Sequence, residues 1–376
     1  MKRLLKNVFL TAGVLALGLQ AEAQQTVVPE NDPGFKLKFI GRTNLDLGTF
    51  LNYNHYDEDG VGHADNSCIV NDTRLGFVGT KDKWEAKVEV CYTNSKISFR
   101  DVTIKHSFNE HNKLTFGNQF MPYGIKLTGI NYKFAEDPSV DLTFCPSRKV
   151  GVNYLYTTDP FNFSAGLYSD GNVDDNKQVN QGLNITAQVI WRPVYDETTV
   201  FHLGGAFIHT DSPNAPKFSG TVPTTVSSDH RTFMSVSYDA PNYERYEFQA
   251  LFIKEKFLVE AHYMGASVNV RNANSESASG VWGQVSYQII GEGQKYNKVT
   301  SLPTASAAGT LEVLGRVDYL DLGDTGNQLD FELGLNYFIN KHFNVKFNYI
   351  MAGFNDRPGV DDKTYHVVQT RLQFSF

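Results

Sequence analysis

The chain ends on YHVVQTRLQFSF, Tyr365 to Phe376, and this stretch decides the fold. Val368, Thr370, Leu372, Phe374 and Phe376 fall on one side of an extended backbone, while Gln369, Arg371, Gln373 and Ser375 fall on the other. The alternation runs to the last residue. An apolar edge exposed to water recruits other chains, and the end strand of a soluble sheet trails off into polar residues. This strand therefore requires a partner strand and a nonpolar surround.

Working outward from it, the same grammar repeats back to Phe35. Phe35, Leu37, Phe39, Leu45, Leu47, Leu51 and Tyr53 share one parity, and Lys36, Lys38, Arg42, Asn44, Asp46 and Asn52 the other. Leu75 and Phe77 lead through Lys81, Asp82 and Lys83 to Trp84, Ala86, Val88, Val90 and Tyr92, a hairpin signal. Later runs, from Val281 to Ile289, Leu311 to Tyr319, Leu329 to Tyr337 and Phe343 to Met351, alternate as clearly. The segments between them, such as SDGNVDDNKQVNQG and HTDSPNAPKFSGTVPTTVSSD, are rich in Gly, Pro, Asn, Asp and Ser and have no period. About seventeen candidate strands emerge, but a barrel closed by its first and last strands needs an even number. Arg231 to Asp239, short and followed by Ala240-Pro241-Asn242, is assigned to a long loop. About sixteen strands remain, a size that encloses an aqueous channel. Gly291 to Gly309 then becomes a long turn on the periplasmic side, where turns are short.

The two faces differ in charge. One carries Leu, Val, Phe and Tyr with almost no charge. The other carries Lys36, Lys38, Arg42, Arg74, Lys87, Lys105, Arg192, Arg245, Arg316, Lys346 and Arg371 beside Asp46, Asp72, Glu85, Glu89, Asp101, Glu247, Glu260, Glu312, Asp318, Asp330 and Glu332. In a soluble sandwich this face meets solvent; in a membrane barrel it lines a wet lumen. Aromatic residues make up 13% of the chain and sit near strand ends, at Tyr53, Trp84, Tyr154, Tyr156, Trp191, Tyr319, Tyr337 and Tyr349, as an interfacial girdle requires. Only a closed sheet satisfies strand backbone in hydrocarbon. The expected fold is all-β, a transmembrane antiparallel β-barrel of about sixteen strands, with Phe376 closing it against the first strand.

MKRLLKNVFLTAGVLALGLQAEAQ has basic residues at Lys2, Arg3 and Lys6, an apolar run from Val8 to Leu19 and the small-residue site Ala21-Glu22-Ala23, the layout of a secretory signal peptide. The expected organisation is a signal peptide over 1–23, a short extension over 24–34 and the barrel over 35–376. Removing Lys2, Arg3, Lys6 and Glu22 turns 34 basic and 41 acidic residues into 31 and 40, a net charge of −9. That balance argues against a nucleic-acid partner. After Ala23 no run approaches about 18 consecutive apolar residues, whereas a membrane strand needs about 9 to 11. The three cysteines, Cys68, Cys91 and Cys145, are too few and too scattered for a disulfide framework.

The widest break between strands follows Phe120: MPYGIKLTGINYKFAEDPSVDLTFCPSRK, too long for a hairpin and carrying Lys126, Lys133 and Arg148, with Lys149 at its end. Here GNQFMPYGIKL resembles the G-x-F-x-x-P-F-G segment of the phosphate-selective porin O and P family. CPSRKVGVNY is similar to the basic segment by which that family re-enters the wall. The stretch from Gly309 to Met351, with Arg316, Tyr319, Leu320 and Asp321 in matching places, resembles its closing strands. The resemblance implies a trimeric, sixteen-stranded outer-membrane channel with an inward-folded constriction loop lined by basic residues. In this loop Glu136, Asp137 and Asp141 stand against Lys126, Lys133, Arg148 and Lys149, a near-neutral balance, and one sign must dominate a constriction that concentrates anions. Phosphate selectivity therefore does not travel with the fold.

The candidate pore residues are Lys126, Lys133, Arg148 and Lys149 on the loop and Arg42, Arg74 and Lys105 on the wall. No G-x-S-x-G, H-E-x-x-H or Walker segment occurs, and the histidines lack metal-ligand spacing, so neither catalysis nor a cofactor or metal is expected. The expected function is an outer-membrane porin: a water-filled channel for passive diffusion of small hydrophilic solutes and ions, anions such as phosphate among them. Its expected partners are membrane lipid, its own copies in a homotrimer and the outer-membrane assembly machinery. Two other readings compete: an exported soluble β-sandwich with a binding surface, and an outer-membrane β-barrel enzyme.

Overall fold

The computed structural model describes residues 26–27, 32, 34–54, 64–93, 96–124, 133–174, 181–226 and 231–376; the segment read as a signal peptide lies outside them. Sixteen strands form the wall: β1 (Phe35–Asn54), β2 (Ala64–Lys81), β3 (Trp84–Thr93), β4 (Lys96–Ser107), β5 (Asn112–Gln119), β6 (Lys149–Thr157), β7 (Phe161–Ser169), β8 (Leu183–Tyr195), β9 (Thr199–Asp211), β10 (Asn242–Lys254), β11 (Phe257–Asn269), β12 (Glu276–Ile290), β13 (Leu311–Asp321), β14 (Asn327–Phe338), β15 (Phe343–Asn355) and β16 (Lys363–Ser375). Each pairs antiparallel with the next, and β16 pairs with β1. The chain is a closed antiparallel β-barrel. Phe376 makes the last join, donating its N–H to the Gly41 carbonyl (2.9 Å) and accepting the Gly41 N–H (3.1 Å). Past that join Thr26 and Val27 pair with Lys38 and Leu37 and cover the edge of β1.

Burial is inverted relative to a water-soluble protein. Leu333 is 64% exposed and Phe248 63%, while Glu332 is 2% and Arg316 3% exposed. A soluble sandwich hides its leucines, so hydrocarbon must cover this outer face. Two bulges shift the alternation. At Asp72, which has a left-handed φ of 54°, the β1–β2 register slips between Arg42 and Asn44. Val70 before it and Leu75 after it are both exposed on the outer face, although they differ in parity. In β4 the register with β3 slips between Phe99 and Val102, so Ile97 and Phe99 face outward before the slip and Ile104 after it. Asp82 (φ 52°) and Glu255 (φ 51°) occupy the two-residue turns at the end where the termini meet. Three further turns there begin with an Asn or Asp that accepts two backbone N–H groups: Asn109 from His111 (2.9 Å) and Asn112 (2.8 Å), Asp196 from Thr198 (2.9 Å) and Thr199 (2.7 Å), and Asn340 from His342 (2.8 Å) and Phe343 (2.9 Å).

Near the opposite, loop end the inner face turns apolar. Phe50, Ile350, Phe354, Tyr365 and Val367 are buried there with Phe144, Phe218, Val222 and Val226 from two loops that fold into the lumen. One of these loops follows β5; the other, between β9 and β10, contains the segment assigned from sequence to a loop. Thr232–Ser237 does lie outside the wall, but it forms a strand of its own, pairing with Lys217–Thr221 in a small inward hairpin.

Candidate functional site

The loop after β5 is tied down by the inner polar face of the wall. Lys133 gives its ammonium to Glu312 of β13 (2.6 Å) and to Gln294 (2.8 Å), and the Ala135 N–H goes to Asn348 of β15 (3.1 Å). Glu136 meets Arg371 of β16 (2.9 Å). Pro138 then opens a short helix, α1 (Ser139–Phe144): Ser139 bonds Asp330 of β14, the Val140 N–H reaches Asp318 of β13 (3.3 Å), and Asp141 takes the Trp282 indole N–H of β12 (2.6 Å). The second loop locks onto the first and onto the wall, with Thr143 donating to the Ser219 carbonyl (2.8 Å) and Thr225 to Asp46 of β1 (2.8 Å).

The long turn read from sequence after β12 is present, and it is a plug. Its small hairpin, Tyr296–Asn297 against Leu302–Pro303, crosses the terminal end of the barrel. Arg192 of β8 donates to Ser301 (3.1 Å), Asn162 of β7 donates to the carbonyls of Lys298 (3.1 Å) and Val299 (2.9 Å), and Tyr296 meets His202 of β9 (2.9 Å). Outside the wall strands, the Lys298 hydrogen bond holds the Asp159 carboxyl below its usual range.

Among the described residues a cavity of about 440 Å³ opens along β16 and β1 to β5. Among the described residues it is lined by six arginines, Arg42, Arg74, Arg100, Arg148, Arg231 and Arg371, against three carboxylates, Asp72, Glu136 and Asp174. Most of the guanidiniums are held by acids. Asp72 sits between Arg42 and Arg74, at 2.5 Å from the latter; Asp101 takes Arg148 (2.5 Å) and Lys87 (2.6 Å); Asp46 takes Arg371 (2.6 Å). The Arg148 guanidinium also lies 4.0 Å over the Phe120 ring.

Of the pore residues named from sequence, the structure brings Arg42, Arg74 and Arg148 together on this cavity. Lys149 is turned to Asp170 (2.7 Å) and Lys105 to Glu85 (2.6 Å). Lys133 is 5% exposed and spent on Glu312, away from the cavity lining. Lys126 lies outside the described residues. Arg371 was legible as a lumen charge but not as a pore residue. Arg100 was missed because strict alternation points it outward; the β4 bulge turns it and Asp101 inward together. Arg231 was missed because Arg231 to Asp239 was set outside the wall as loop, with nothing in the sequence to say that this loop folds into the lumen.

The family model of phosphate-selective porin O and P matches residues 44–376. The chain belongs to that family. No curated protein matches the sequence of this porin. Solved structures share its fold at low identity. The anion-selective porin from Comamonas acidovorans superposes with a TM-score of 0.61 at 13% identity, over 91% of this chain and all of that one. The trimer form of OmpT, an outer membrane protein of Vibrio cholerae, gives 0.59 at 15% identity over 91% of this chain and all of OmpT. Salmonella typhi OmpF in complex with daunomycin gives 0.56 at 15% over 91% of this chain and 98% of OmpF. This porin is an outer-membrane channel for small solutes.

Proposed function

We propose that this porin passes small anions, oxyanions such as phosphate among them, in preference to cations, by passive diffusion and without turnover. The observation that carries this reading is the surface the open cavity presents to the path, six arginines against three carboxylates, with Asp46, Glu89 and Asp101 meeting those arginines from outside the lining. A surplus of one sign within a few ångströms of a narrow aqueous path raises the local concentration of counter-ions. Arg42, Arg74 and Arg148 supply part of that field. Lys133 acts instead as the anchor of the constriction loop, and the loop charges that looked near neutral in sequence are largely absorbed by the wall, as the Lys133–Glu312 and Glu136–Arg371 pairs illustrate. Residues 1–23 direct export and are removed, the terminal end faces the periplasm, and the barrel assembles as a homotrimer, a reading supported by the trimer form of the structurally similar OmpT.

Planar-bilayer recording tests this reading. In a potassium chloride gradient the reversal potential is expected to carry the sign of chloride preference, and added phosphate is expected to reduce the chloride current. Cation preference, or silent membranes holding folded protein, contradicts it.

A further inference from the structure

We propose that Arg100 is the residue that sets the selectivity of this channel, by holding the permeating oxyanion at the cavity wall. The proposal rests on the anion reading above. The β4 bulge turns two consecutive charged residues, Arg100 and Asp101, into the lumen, and Asp101 is consumed by Lys87 and Arg148. Arg42 and Arg74 share Asp72, with Glu89 3.8 Å from Arg74, and Arg371 is bracketed by Asp46 and Glu136. Each of those arginines forms a dipole with its acid, and a passing anion must compete with a carboxylate already in place.

Among the described residues Arg100 has no such partner. Its Nη2 meets the Cys91 thiol sulfur (3.4 Å), a weak acceptor, and no carboxylate of the cavity lining pairs with its guanidinium. The Asp174 carboxylate, which also lines the cavity, is turned to the Phe99 backbone N–H at 3.1 and 3.2 Å rather than to the Arg100 side chain. The Arg100 backbone is fixed, because its carbonyl accepts the Asn118 amide (2.5 Å). Arg231, which donates to the Thr224 carbonyl, hangs instead from the second loop. A guanidinium at the lining whose charge no carboxylate offsets is where an incoming anion gains most. The planar guanidinium fork matches the paired oxygens of carboxylate and phosphate and offers a halide no such match.

The experiment compares wild type, Arg100→Gln, Arg100→Lys and Arg74→Gln in planar bilayers, with heat-modifiable migration confirming folded barrels. Arg100→Gln is expected to lower the anion-to-cation permeability ratio about tenfold, about threefold from the lost attraction of the anion and about threefold from the lost repulsion of the cation for one charge about 6 Å from the path in water, and to abolish the phosphate block. Arg100→Lys is expected to keep the ratio and weaken the block several-fold, because the charge remains and the fork is lost. Arg74→Gln is expected to lower the permeability ratio, because it removes part of the field, and to keep the phosphate block that Arg100→Gln loses. If wild type prefers anions and Arg100→Gln changes neither ratio nor block, this inference falls and the anion reading stands. A block lost in Arg74→Gln but kept in Arg100→Gln also overturns it. A cation-preferring wild type overturns both.

Discussion

The wall from β10 to β15 and the wall from β1 to β5 are built on the same alternation, yet the first is sealed and the second faces water. In the sealed half, acids on the wall are answered from inside the lumen: Glu312 by Lys133, Asp330 by Ser139, Asp318 by the Val140 N–H and Glu247 by the Gly124 N–H (2.8 Å). In the open half the strands answer one another more, with Asp72 between Arg42 and Arg74 and Lys87 against Asp101, and Arg148 of the first loop reaches Asp101 as well. Strand-to-strand pairs also occur in the sealed half, Glu332 with Arg316 and Glu247 with His262, so what closes that half is the loop packed over its charges. Where loop groups cover the wall the lumen is closed, and where wall charges pair beside the cavity it stays open.

The comparison is sharpest at two lysines. Lys133→Met leaves the Glu312 carboxylate buried without its cation, and breaking a buried pair from one side costs roughly 3–5 kcal/mol; Glu312 has no exposed side-chain surface. The corresponding change in the open half, Lys105→Met, removes a pair whose side chains are 28% and 34% exposed, worth at most about 1 kcal/mol. Unfolding in detergent by denaturant measures both, and equal losses would erase the distinction between the halves. A second variant replaces residues 292–308 with a two-residue turn. Because the plug anchors on β7 to β9 and, through Gln294, on Lys133 (2.8 Å) and Glu312 (2.8 Å), but not on the arginine cavity, conductance is expected to rise while the reversal potential stays fixed; a changed reversal potential places the plug on the ion path. A third change lies at the seam. Deleting Phe376 removes two backbone hydrogen bonds to Gly41, worth together about 2 kcal/mol, so the barrel still closes but melts earlier, as heat-modifiable migration would register.

Much of the barrel is legible in the sequence because hydrocarbon on one side and water on the other impose a two-residue period that few other environments impose. Arg42, Arg74 and Arg148 were legible for the same reason: a charge on the inward parity, or where the loop rejoins the wall, has little choice of surroundings. Arg100 was not, because one parity was carried across β4, although its apolar residues change parity from Ile97 and Phe99 to Val102 and Ile104 and mark the bulge between them. The inward hairpin of the second loop left one readable trace in the closing stretch, where Val367 interrupts the polar parity of Gln369 and Arg371. An apolar residue on the water side of a porin strand needs something to cover it, and here it is buried among loop residues such as Phe218 and Val226. The length of the plug was visible as an anomaly, but its docking on Arg192 and Asn162 joins segments more than 100 residues apart and has no local signature.

Thiol accessibility in the open channel tests the division between the halves most directly. With Cys68, Cys91 and Cys145 replaced by serine, Asn71→Cys places a thiol on the cavity of the open half, and Asn348→Cys places one on the sealed half beneath Ala135. Adding a negatively charged methanethiosulfonate during bilayer recording is predicted to reduce the current through Asn71→Cys and leave Asn348→Cys unchanged. A current that falls in Asn348→Cys while Asn71→Cys is untouched contradicts the account.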